Sequence, residues 1–90
     1  MNPLDKIQLI NDKYNLIDIS SEVKNAIKQG RPVVALESTI ITHGLPHPEN
    51  ELLALDAEST ARKHGSIPAT IAIINGKIKI GLNSADIKLL

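Results

Sequence analysis

Two short aliphatic runs limit what this chain can fold into. Val33, Val34, Ala35 and Leu36 stand between Pro32 and Glu37, and Ala69, Thr70, Ile71, Ala72, Ile73 and Ile74 follow Pro68. Neither run alternates polar with apolar residues, so both read as strands of a sheet covered on its two faces. A sheet of that kind needs helices, and the rest of the chain offers them. Asp18, Ser20 or Ser21 can cap a helix over about residues 20–29, with Val23, Ala26 and Ile27 on one face and Gly30 just beyond its end. Pro48 opens another that carries Glu49 and Glu51 in its first turn, then Leu52, Leu53, Leu55, Ala57 and Ala61, and Gly65 closes it.

Asn75-Gly76 supplies the two positive-φ residues of a type I′ hairpin turn, and Lys77-Ile78-Lys79-Ile80 is the return strand. Its alternation predicts solvated lysines on one face and packed isoleucines on the other. Asn83 or Ser84 caps a last helix with Asp86 in its first turn, and the apolar face begun by Ile87, Leu89 and Leu90 stops within two turns. The order α, β, α, β, β, α with two or three strands is the opening of an α/β domain, an incomplete N-terminal portion of an α/β/α layered unit. Residues 1–17, where Asn11, Asp12 and Asn15 interrupt a loose helical spacing, read as a mobile or docking arm, and 18–90 as the domain.

Composition narrows the function. Ninety residues admit one small core and exclude a second domain. Ten acidic and ten basic side chains cancel, and the basic ones are scattered, so the electrostatic footprint of a nucleic-acid partner is missing. Tyr14 is the only Phe, Trp or Tyr, which removes base stacking as well. No apolar run approaches the roughly 20 residues of a membrane span and no secretory leader opens the chain, so a cytoplasmic location is expected. Without cysteine there is no thiolate nucleophile and no Cys-type metal site.

Glu37 is the leading candidate for chemistry. It ends a strand that reads as buried, where sites of open α/β sheets gather, and partial desolvation there would raise its proton affinity toward that of a general acid. The alternative is a carboxylate paired with a lysine or simply solvated. Thr39, Thr42 and His43 follow in a loop running from Ser38 to Pro48, which Gly44, Pro46 and Pro48 keep from being a regular helix. They suit a polyhydroxylated or phosphorylated ligand, though turn chemistry alone also selects such residues. His43 and His47 are four apart, but the prolines spoil the helix that a shared metal would need and no zinc-protease pattern is present. His64 reads as a helix-end residue, and Lys77 and Lys79 as solvation of a hairpin.

Two stretches carry a family resemblance: Pro32-Val-Val-Ala-Leu-Glu-Ser-Thr-Ile-Ile-Thr-His-Gly-Leu-Pro-His-Pro, and Pro68-Ala-Thr-Ile-Ala-Ile-Ile-Asn-Gly-Lys-Ile-Lys-Ile-Gly-Leu. With Ser20-Ser-Glu-Val and Asn50 they make residues 18–90 resemble the pseudouridine-5′-phosphate glycosidases. The resemblance implies an α/β/α fold, a homotrimer and a divalent metal such as manganese. It also implies reversible cleavage of the C–C glycosidic bond of pseudouridine 5′-phosphate to uracil and ribose 5-phosphate. In that family a lysine forms a Schiff base with the opened ribose, and the glutamate of Leu-Glu-Ser-Thr moves the proton that lets uracil leave. That glutamate matches Glu37. The family's lysines and metal-binding aspartate match positions beyond Leu90, so no catalytic lysine, metal ligand or phosphate ligand is assigned to this chain. The alternative expectation is a truncated, non-catalytic chain that at most associates with full-length subunits through an exposed strand edge.

Overall fold

The computed structural model describes residues 2–90. Its elements are α1 (Pro3–Tyr14), β1 (Ile17–Ile19), α2 (Ser21–Lys28), β2 (Val33–Glu37), a π-helical turn (Ile40–Gly44), α3 (Glu49–Lys63), β3 (Ile67–Ile74), β4 (Lys77–Ile80) and α4 (Ser84–Leu89). The four strands form one mixed sheet in the order β1-β4-β3-β2. β2 runs parallel to β3, β3 and β4 form the antiparallel hairpin, and β1 runs parallel to β4. The chain is an α/β protein, as its two aliphatic runs predict.

Local chemistry explains most boundaries. The Ser20 side chain accepts from the Val23 N–H and opens α2, while Gly30 follows its end at φ +70°. Asn75 and Gly76 take φ values of 52° and 77°, as the hairpin turn requires. Asn83 and Asp86 form a reciprocal capping box at the start of α4.

The N-terminal segment differs from expectation. Residues 3–14 are a helix, begun by Asn2 accepting from the Asp5 N–H and by Pro3 in the first turn. None of its residues is buried. Asn11, which interrupts the apolar spacing, is the clamp that joins α1 to the sheet: its side chain donates to the Ile17 carbonyl at 2.7 Å and accepts from the Ile17 N–H at 2.8 Å. The boundary expected between residues 17 and 18 therefore falls inside β1, and Asp18 is a strand residue where a helix cap was one expectation. β1 is three residues long and is defined by pairing with β4, a long-range partner that local spacing does not reveal.

Coverage of the sheet also departs from expectation. On one face Thr70 donates to Glu58 of α3 at 2.6 Å, and Lys79 meets Asp86 of α4 at 3.0 Å. Strand alternation puts Ala35, Glu37, Ile71, Ile73 and Ile78 on the other face. There Ile73 is 73% exposed and Ile78 37%. β2 lies at a sheet edge and carries no buried residue, so Val33–Leu36 is not covered on both sides. The β4 expectation holds for exposed Lys77 and half-buried Ile80 but is reversed at Lys79 and Ile78. α4 lies over the lysine face, where Asp86 neutralises Lys79, and the isoleucine at 78 is the one left open.

A small apolar cluster of Ile41, Ala54 and Ile87, with Leu82 and Leu90 against it, ties the π-helical turn to α3 and α4. That cluster fixes the loop after β2, and so the ground on which Glu37 stands.

Candidate functional site

Glu37 is the last residue of β2, and the chain leaves the strand there into the π-helical turn. Thr39 folds back on it: the Thr39 main-chain N–H donates to Glu37 Oε1 at 2.7 Å, and the Thr39 hydroxyl donates to the same oxygen. The turn is braced in its own right. Thr42 Oγ1 donates to the carbonyls of Ser38 and Thr39, both at 3.3 Å, and buried Asn50 donates to the Ile41 carbonyl at 2.9 Å. A π-helical turn leaves carbonyls without the usual helical partner, and Asn50 supplies one from the first turn of α3.

Glu37 lines a cleft of about 590 Å³ together with Thr39, Thr42, His43, Ile71 and Ile73. The structure thus brings together the glutamate, both threonines and the first histidine of the loop. His47 is not among the lining residues; it is exposed, with Nδ1 4.0 Å from Glu51. Among the described residues no three His, Asp or Glu side chains converge as metal ligands.

One expectation is corrected. Glu37 is exposed, and the Thr39 hydroxyl, followed by the Thr39 N–H, holds its carboxyl below the ordinary carboxylate range. Hydrogen bonds to the charged form outweigh the desolvation that a strand end promises, so its proton affinity is lowered where a raised one was expected. Sequence reasoning placed Thr39 near the carboxylate without its double bond. The signal was its position two residues on, where a hydroxyl and an N–H can both turn back to a carboxylate.

A second cavity, of about 430 Å³, shares no lining residue with the first. Its charges are largely engaged. Arg62 grips Glu22 through both terminal nitrogens, Lys79 holds Asp86, and Glu58 accepts from Thr70. Lys77, Lys79 and Lys88 all lie outside the Glu37 cleft.

Residues 22–90 match the family model described as indigoidine synthase A like protein. This chain belongs to that family. Among its relatives, the pseudouridine-5′-phosphate glycosidase of Escherichia coli (strain K12) is 56% identical over 75 residues, covering 83% of this chain and 24% of that protein. The pseudouridine-5′-phosphate glycosidase of Mycoplasmopsis agalactiae is 59% identical over 71 residues, 79% of this chain and 24% of the relative. The chain thus spans about a quarter of the length of the relatives it matches. Two solved structures share its fold. An indigoidine synthase A-like protein of Thermotoga maritima superimposes with a TM-score of 0.68 at 32% identity, over 82% of this chain and 23% of that one. A prealnumycin C-glycosynthase solved in complex with ribulose 5-phosphate does so with a TM-score of 0.64 at 41% identity, over 81% and 23%.

Proposed function

We propose that these residues are the N-terminal part of a pseudouridine-5′-phosphate glycosidase and that Glu37 moves the proton that frees uracil from the sugar. The observation that carries this reading is Glu37 itself, anchored through one oxygen at the end of β2, in a cleft whose lining includes the hydroxyls of Thr39 and Thr42 and the side chains of Ile71 and Ile73. Thr39 and Thr42 suit a hydroxylated, phosphorylated sugar, and Ile71 and Ile73 offer an apolar surface to a flat base.

The chemistry follows from the carboxylate's charge. Held below the ordinary range, Glu37 is ionised near neutral pH, so it acts first as a base. It takes the proton that the attacking amine loses on bonding to the sugar, and returns that proton to the uracil carbon as the C–C bond breaks. A C–C bond has no lone pair to protonate, so the two-carboxylate scheme of ordinary glycosidases does not serve. A covalent imine on a lysine is the expected electron sink. No lysine lines the Glu37 cleft, so that nucleophile is not assigned to this chain, and the isolated 90 residues are expected to release no uracil. The remaining expectations, a cytoplasmic homotrimer assisted by manganese, belong to the longer protein.

The test exchanges these 90 residues for the matching quarter of the Escherichia coli relative and measures uracil release from pseudouridine 5′-phosphate with added manganese. Release by the chimaera is expected, and Glu37→Gln should lower it by more than about a hundredfold while the protein stays folded. Near-normal release by Glu37→Gln would refute the role. The apolar stripe around Ile73 and Ile78 favours a second reading, a non-catalytic chain that pairs with longer subunits. An inactive, well-folded chimaera would point to it.

A further inference from the structure

The bonds around Glu37 are unevenly shared between its two oxygens. Both donors of Thr39, the main-chain N–H and the hydroxyl, go to Oε1, which leaves Oε2 outside both bonds. A carboxylate fixed at one oxygen keeps a fixed orientation at the other. A proton donor on an exposed, otherwise rotatable glutamate needs that restraint, because misplacement by about 1 Å can cost a hundredfold in rate. Thr39 itself is held by the π-helical turn that follows it: its carbonyl accepts from Thr42 Oγ1, and that turn is pinned to α3 through Asn50.

We propose that Thr39 is a positioning residue for proton transfer, clamping Oε1 of Glu37 so that Oε2 alone exchanges the proton with the substrate. The proposal rests on the reading of Glu37 as the proton carrier. The clamp calls for a hydroxyl at position 39: the main-chain N–H is available from any residue but proline, whereas the second bond requires Thr or Ser. His43 is the only other titratable side chain lining the cleft among the described residues, and the smaller cavity on the α3 side of Glu37 adds none.

The test uses Thr39→Val, which keeps shape and N–H but removes the hydroxyl, and Thr39→Ser, which restores it. In the 90-residue chain, carbon-13 NMR of the Glu37 carboxyl is expected to show its titration midpoint moving up in Thr39→Val and returning in Thr39→Ser. In the chimaera, Thr39→Val should lower kcat about tenfold or more with KM little changed, and Thr39→Ser should recover most of the loss. The acid limb of the pH profile should shift upward with the NMR midpoint. Position 39 is exposed, so both variants should fold. If Thr39→Val leaves the midpoint and kcat as they are in the wild type while Glu37→Gln abolishes turnover, the clamp is refuted and the role of Glu37 survives. If Glu37→Gln retains turnover, the role of Glu37 fails and the proposal fails with it, whatever the NMR shows.

Discussion

Glu37 and Asp86 are both held below the ordinary carboxylate range, in opposite surroundings. Exposed Glu37 owes its state to Thr39. At Asp86 burial pushes the carboxyl up, but the Lys79 ammonium and the Asn83 N–H outweigh it. A carboxylate whose affinity for protons is lower in the folded state than in the unfolded chain stabilises the fold above the unfolded value. That contribution is lost as the pH falls through the folded value. Acid should therefore weaken the wild-type chain as the pH drops below the ordinary Asp value of 3.8. Asp86→Asn should be less stable at neutral pH by about 1–3 kcal/mol, since it leaves Lys79 without its counter-charge, and should show little further change in the acid window. Urea unfolding of both chains across that range measures it. Lys79 shows why this was not legible in the sequence. Alternation alone assigns it to water, and only the capping box, by aiming Asp86 at β4, makes its partial burial tolerable. Glu37, by contrast, was marked by its place at the end of an aliphatic run, with a solvated carboxylate as the alternative, and its exposure and its bonds to Thr39 were not legible there.

Among the elements, the junction of β4 with α2 leaves no room for a side chain at Gly81. Gly81 has φ +90°, and a Cβ added there would meet the Ser20 side chain, with Val23 Cγ2 at 3.0 Å. Gly30 also has positive φ, at +70°, but open space around it. Gly81→Ala should thus combine the left-handed backbone cost with a clash and lose at least about 2 kcal/mol, while Gly30→Ala should lose about 1 kcal/mol. Thermal unfolding of the pair separates conformation from crowding. Asn50→Ala should cost about 1–3 kcal/mol by leaving the Ile41 carbonyl without a partner, and should speed amide exchange in residues 40–44 beyond the change elsewhere. Caps and turns were the most readable part of the sequence because each is set within a few residues: Ser20, Gly30, Asn75-Gly76 and Asn83 all stand where local chemistry puts them. The π-helical turn was not, since its geometry depends on Asn50, nine residues from the carbonyl it satisfies.

For the molecule as a whole, the open face of the sheet has physical consequences. Ile73 is 73% exposed and Ile78 37%, so the 90-residue chain should associate as its concentration rises. Ile73→Lys should suppress that association in sedimentation experiments while changing unfolding stability by no more than about 0.5 kcal/mol, because little is buried there to lose. The class of fold was legible from the two aliphatic runs, but the strand order was not. Pairing of β1 with β4 joins Ile17 to Ile78, and nothing near Ile17 announces a partner so far along the chain. That pairing also sets a schedule for the newly made polypeptide. A ribosome delivers residues in order at roughly 5–20 per second, so Ile17–Ile19 emerges several seconds before its only hydrogen-bonded neighbour in the sheet exists. The β3–β4 hairpin, closed by a two-residue turn, can form as soon as it leaves the exit tunnel, and the first strand to be synthesised is then the last to find its place.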